Sequence, residues 1–208
     1  MADISYPAAG NAERLLKDMG DGTHEQRIVA FIAGESGALA EVDGVAGALV
    51  IQGMVHRMIH LGTLYEIGYV NETVADNGDI ELLVTTAVGQ SAHMRFIAAA
   101  GGDARIALFE NPTVSNVGTG LTEINRNRLS SNTAETAVTH TPTTSADGTQ
   151  LMDHLLPGGS GFFGGGGGSE TSFEEFILKP NEQYLFRITN IAGTAQPVGA
   201  SLTFYEPS

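Results

Sequence analysis

The chain has no cysteine and no tryptophan, and only ten lysines and arginines against 24 aspartates and glutamates. Without cysteine there is no disulfide framework, no thiolate nucleophile and no Cys-ligated zinc. The formal charge of −14, with ten basic residues and no run of them, argues against nucleic acid as a partner, since that affinity rests on cations neutralising phosphates. No apolar stretch approaches the roughly 20 residues that a membrane helix needs, so no membrane association is expected. The opening Met1-Ala2-Asp3-Ile4-Ser5-Tyr6-Pro7 lacks the basic-then-apolar sequence of a secretory signal. What the chain does have is 208 residues, an apolar fraction of 42% and 27 clustered glycines. That is enough for a core, and the glycine content favours a turn-rich β protein.

The clearest pattern lies near the C-terminus. Tyr184, Phe186 and Ile188 alternate with Gln183, Arg187 and Thr189, and Val198, Ala200, Leu202 and Phe204 alternate with Gly199, Ser201, Thr203 and Tyr205. With the run from Phe173 to Leu178 before them, these predict three strands of an antiparallel meander with one buried face. From Thr63 to Glu110 four more strands follow, with a turn at Gly89-Gln90-Ser91 and tight hairpins expected at Asn77-Gly78 and Gly101-Gly102. In residues 48–61, Leu49-Val50-Ile51 suggests a strand, while Met54–His60 suits a helical turn or a second strand, with strand the preferred reading. No internal repeat is evident. Residues 111–157 read as long polar loops with short strands near Leu121–Ile124 and Glu135–His140, and the five glycines Gly164–Gly168 as a loop tip with Phe162 and Phe163 either its anchor or an exposed contact. The expected fold is all-β, an antiparallel jelly-roll-like sandwich over residues 33–208, with long polar and Gly-rich loops at 111–172.

Residues 1–32 read as an N-terminal arm, with Asn11–Met19 forming two or three helical turns stopped at Gly20-Asp21-Gly22. So short a helix is marginal alone and needs a neighbour to lie on. Leu15, Leu16, Met19, Ile28 and Phe31 are therefore expected at a protein interface. Asn125-Arg126-Asn127-Arg128 is the densest basic spot. Arg126 and Arg128 suit either a neighbouring subunit's carboxylates or internal loop bracing.

The residue types offer little catalysis. His56 and His60 are spaced to share one face of a helix, but Arg57 stands where the zinc-protease motif has glutamate, and no third ligand is suggested, so surface or packing histidines are the plainer reading. The polyglycine tract lacks the Gly-Lys-Ser/Thr ending of a phosphate loop. Asp147-Gly148-Thr149 matches the aspartic-protease triplet, yet Asp21-Gly22-Thr23 shows how cheaply that match arises. No catalytic, cofactor or metal residue is assigned, and no enzyme is expected.

One resemblance goes further. His56-Arg57-Met58-Ile59-His60-Leu61-Gly62, then Gly118-Thr119, Asn125-Arg126-Asn127-Arg128, Glu175–Asn181, Tyr184–Asn190 and Tyr205-Glu206, together with Lys17–His24, resemble tailed-bacteriophage virion structural proteins of the capsid decoration or cement type. The resemblance implies a jelly roll on the capsid exterior, made in the host cytoplasm. It also implies contacts with the major capsid protein and with itself as a dimer or trimer. A tail or fibre-tip module that recognises a host-surface receptor, carbohydrate for example, is the alternative, since one fold serves both roles.

Overall fold

The computed structural model describes five short strands within residues 4–49, then residues 53–158, 171–172 and 175–206. The chain divides into two compact units, Met1–Gly53 and Met54–Ser208. In the first, β1 (Ile4–Pro7), β2 (Glu13–Asp18) and β3 (His24–Ile28) form an antiparallel sheet in that order. Strands β4 (Val42–Asp43) and β5 (Ala48–Leu49) form a two-stranded pair. Within 11–19, expected as helix, Glu13–Asp18 is thus a strand: β2 has partners on both sides, which satisfy its backbone groups along its length, whereas a helix of so few residues leaves many unpaired at its ends. Within 34–47, read as loop, Val42 and Asp43 are strand.

The second unit begins with α1 (Met54–Leu61), which corrects the strand expected there. Gly62 sits at φ +68°, and the N–H groups of Gly62 and Thr63 donate to the carbonyls of Ile59 and Met58. This is the glycine-terminated end of a helix.

The chain then runs through β6 (Leu64–Val74), β7 (Asp79–Thr85), β8 (Ala92–Ala100), β9 (Ala104–Glu110), β10 (Thr113–Asn116), β11 (Thr119–Gly120), β12 (Ile124–Asn125), β13 (Ala137–His140), β14 (Thr143–Ala146) and β15 (Thr149–Leu156). It ends with β16 (Thr171–Ser172), β17 (Phe176–Leu178), β18 (Gln183–Asn190) and β19 (Gln196–Tyr205). One sheet has the order β11-β13-β7-β18-β9-β15, the other β12-β6-β19-β8-β16, with β17 also on β8. All the pairings are antiparallel. The two sheets pack as a sandwich, as the alternation predicts. Phe96 of β8 meets Phe186 of β18 across the core at 5.0 Å between ring centres, and both are buried.

The meanders do not form as expected. Strands β17, β18 and β19 pair with β8, with β7 and β9, and with β6 and β8, never with one another. Likewise β6 and β7 lie in different sheets, so Asn77-Gly78 makes an arch between sheets and not a hairpin; Gly101-Gly102 does the same between β8 and β9. A strand with one apolar face specifies that face, not its neighbour. Asn190 pins the first arch: its wholly buried amide donates to the carbonyls of Val74, Ala75 and Thr194.

The polar stretch expected as loops contains a repeat. Asn111-Pro112-Thr113-Val114-Ser115-Asn116-Val117-Gly118-Thr119-Gly120-Leu121 aligns with Thr141-Pro142-Thr143-Thr144-Ser145-Ala146-Asp147-Gly148-Thr149-Gln150-Leu151, an offset of 141 − 111 = 30 positions. Asn111 and Thr141 both have positive φ (59° and 55°), as do Gly118 and Gly148 (87° and 85°). The Asn111 N–H donates to the Gln183 carbonyl and the Thr141 N–H to that of Glu81. Strands β10 and β14 pair with each other, with Val114 opposite Thr144. The sheet order β11-β13-β7-β18-β9-β15 is unchanged when β11 and β15, β13 and β9, and β7 and β18 trade places. The repeat was hidden because its flanks, Ile106–Glu110 and Thr136–His140, share only Ala107/Ala137 in register.

The outer face of this sheet is not bare. Leu83 and Leu185 are fully buried, and Ala107 and Phe109 join Leu185 in a second apolar cluster. Arg187 lies over the Phe109 ring at 5.3 Å, donates to Glu81 at 2.6 Å, and forms a two-pronged pair with Asp147, the residue after β14. That pair ties the repeat's second half to the outer face.

Candidate functional site

The feature that stands out on the second unit is the pole formed by α1 and the loop from Asn125 to Asn132. The loop is fastened to the helix by three amides. Asn125 donates to the Gly62 carbonyl (2.9 Å), Asn127 to that of His60 (3.3 Å), and Asn132 to those of Leu61 and Gly62 (3.3 and 3.2 Å). The last carbonyls of a helix have no partner inside it, so these asparagines complete its C-terminus.

The two arginines lie within this fastened loop. The Arg126 guanidinium faces Glu66 at 3.7 Å, and its main-chain N–H donates to the Leu64 carbonyl. Arg128 donates to the Asn125 carbonyl at 3.4 Å. Both contacts are the internal bracing that the sequence left open, and both residues remain exposed. Of the expected interface residues in the first unit, Leu15 and Leu16 lie in β2 and Ile28 in β3. Met19 and Phe31 lie outside the described residues, as do Phe162, Phe163 and the polyglycine tract.

The outside of the pole is apolar and basic. None of the residues of α1 is buried; Met54, Val55 and Leu61 are each more than half exposed, and Leu129 of the loop is 98% exposed. His56, Arg57 and His60 lie on the same helix, and α1 carries no carboxylate. In a chain of net charge −14 this is an unusual surface. Sequence reasoning passed over Leu129 because a single leucine after an Asn/Arg run carries no periodicity.

On α1 the two imidazoles converge: His56 Nε2 and His60 Nε2 are 2.9 Å apart, with ring centres at 4.5 Å. Among the described residues no group of three or more His, Cys, Asp or Glu gathers to hold a metal ion.

Beside the pole is an open cavity of about 420 Å³ walled by Thr63, Tyr65, Asn132, Glu135, Glu206 and neighbours. Its buried carboxylate is already engaged, since Glu206 accepts the N–H groups of Glu135 (3.0 Å) and Thr136 (2.6 Å). Burial, with Glu206 and Glu135 adding to it, pushes the Tyr65 hydroxyl up. That keeps it a neutral hydrogen-bond donor, bonded to the Gly62 carbonyl at 3.4 Å. These are structural roles.

A third cluster, absent from the sequence reading, joins His93, Glu175 and Tyr205. Glu175 lies 2.8 Å from His93 Nδ1, and the Tyr205 hydroxyl lies 2.9 Å from that nitrogen and 3.0 Å from the same carboxylate oxygen. The rings of His93 and Tyr205 stack at 4.6 Å. Burial first, then Glu175, raises the Tyr205 hydroxyl to about 12. The arrangement holds the start of β17 against β8 and β19. Only the pairing of β8 with β19 brings residues 93 and 205 together, so no local signal in the sequence marks it. Asp147 of the Asp-Gly-Thr triplet is paired with Arg187, in a bracing role.

Compared with protein-family models, with curated proteins and with solved structures, the chain matches none.

Proposed function

We propose that this protein is a structural virion component of a tailed phage, a decoration or cement protein that binds the outer capsid surface and bridges capsid subunits. The observation that carries the reading is the pole of α1 and Leu129: an amphipathic helix with no buried residue, beside a wholly exposed leucine. Apolar side chains grouped at one surface, rimmed by charge, mark a site for another protein. The sandwich supports it as well, because the interleaving of β6-β19-β8-β17 with β7-β18-β9-β15 is jelly-roll-like. The sequence resemblance points the same way. In this reading the protein has no enzymatic activity, its partners are the major capsid protein and further copies of itself, and the N-terminal unit assists docking.

The test is to mix purified protein with particles lacking it and to image the product. Many copies spread over the shell support the proposal. A few copies at the tail would instead establish the alternative, a receptor-recognising tail module. Deleting residues 2–26 should abolish shell binding while the second unit keeps its β signature; unchanged binding would remove the first unit from the docking surface.

A further inference from the structure

We infer that His56 and His60 form a two-imidazole chelate for a borderline divalent transition-metal ion such as Cu²⁺, Ni²⁺ or Zn²⁺. The inference does not depend on the virion reading. Placed one helical turn apart on α1, the two rings aim Nε2 at Nε2 across 2.9 Å. Two neutral imidazoles reach that distance by sharing one proton, one nitrogen donating and the other accepting. A metal ion takes that proton's place between the rings, and the proton moves to Nδ1 of the donor ring, so both side chains bind as neutral imidazoles. With metal–nitrogen bonds of about 2.0–2.1 Å, tetrahedral ligands lie roughly 3.3 Å apart, so the pair need open by only a few tenths of an ångström. Both side chains are exposed and free to turn. Arg57, between them in sequence, projects elsewhere around the helix because neighbours in sequence do not share a face. Imidazole selects borderline ions over Mg²⁺ and Ca²⁺, and water fills the remaining positions.

The chelate has a structural consequence. α1 is eight residues long with nothing buried, and so short a helix is marginal. An ion that needs both imidazoles one turn apart binds the helical form and not the extended one, and thereby stabilises it.

The test is calorimetric titration of the untagged full-length protein with Zn²⁺, Ni²⁺ and Cu²⁺, with Mg²⁺ as control, alongside hydrogen exchange of the α1 amides. Expected are saturable uptake, tightest for Cu²⁺, a loss of at least about tenfold in affinity in each of His56→Gln and His60→Gln, and slower exchange in α1 when the ion is bound. Arg57→Gln, on the same helix, should bind as the native protein does. Equal uptake by the native protein and the His56→Gln/His60→Gln double variant, with a retained circular dichroism spectrum, would place any binding at the other histidines and overturn the inference. Unchanged α1 exchange on metal addition would overturn it too.

Discussion

Leu83 of β7 and Leu185 of β18 are paired directly opposite each other, and the sheet around them is organised as two matching halves. Each strand on one side has a counterpart on the other, and both leucines are fully buried on the outer face. The 111–121 and 141–151 segments build equivalent corners at matching places in the strand order.

The two corners should fail in the same way. A Cβ at Gly118 would stand 2.2 Å from the His140 carbonyl, and one at Gly148 2.2 Å from that of Glu110. Both backbones are also left-handed. Gly118→Ala and Gly148→Ala should each cost at least about 1–3 kcal/mol in urea unfolding. Gly120→Ala, where nothing lies within 4 Å, should stay within about 0.5 kcal/mol. A neutral Gly148→Ala would contradict the equivalence.

Thr141 occupies the place that Asn111 holds in the other half. A β-branched residue at φ 55° is strained, whereas asparagine tolerates that region. Thr141→Asn should therefore raise stability by about 0.5–1 kcal/mol, read as a higher melting temperature. The Thr141 hydroxyl's contact with His140 at 3.0 Å is exposed and should count for little. A lower melting temperature would show that this contact outweighs the backbone strain.

Arg187 holds Glu81 and Asp147 at once, with four-fifths of its side chain buried. Arg187→Ala should cost about 2–3 kcal/mol, because it leaves a poorly solvated Glu81 unpaired. Arg187→Lys should recover only part, since an ammonium cannot make the two-pronged bond. The Arg187 hydrogen bonds hold the Asp147 carboxyl below the usual carboxylate range. A depressed carboxylate adds stability that is present above its unfolded value and lost as pH falls through the folded one. The gap between native protein and Arg187→Ala should thus narrow below about pH 4. A constant gap down that range would assign the effect to packing over Phe109.

Leu129 makes the docking surface testable apart from folding. At 98% exposure it contributes nothing to the core, so Leu129→Asp should change stability by less than about 0.5 kcal/mol. Shell binding should weaken about tenfold, equivalent to about 1.4 kcal/mol. Unaltered binding would move the interface away from α1.

Much of the second unit was legible from local pattern. Ile80, Leu82 and Val84, or Leu202 and Phe204, declare a strand and its buried face because side chains alternate every residue. Helix α1 was not preferred over a strand because its apolar period spans only eight residues and its C-terminus is completed by asparagines some seventy positions later. The candidate site was half legible: the His56/His60 spacing and the Asn/Arg cluster are visible, but Leu129 and the His93–Glu175–Tyr205 cluster are not.

The sequence alone determined that this is an acidic, cysteine-free β protein built on strands of alternating apolar residues, since composition and period act within a few residues. Only the tertiary structure decided which strands pair, that consecutive strands cross between sheets, and that two dissimilar flanks build one symmetrical sheet. Those outcomes depend on contacts between residues far apart in the chain, where many pairings bury the same side chains. The choice among them falls to turn geometry, ion pairs such as Arg187–Asp147, and the fit of the assembled core.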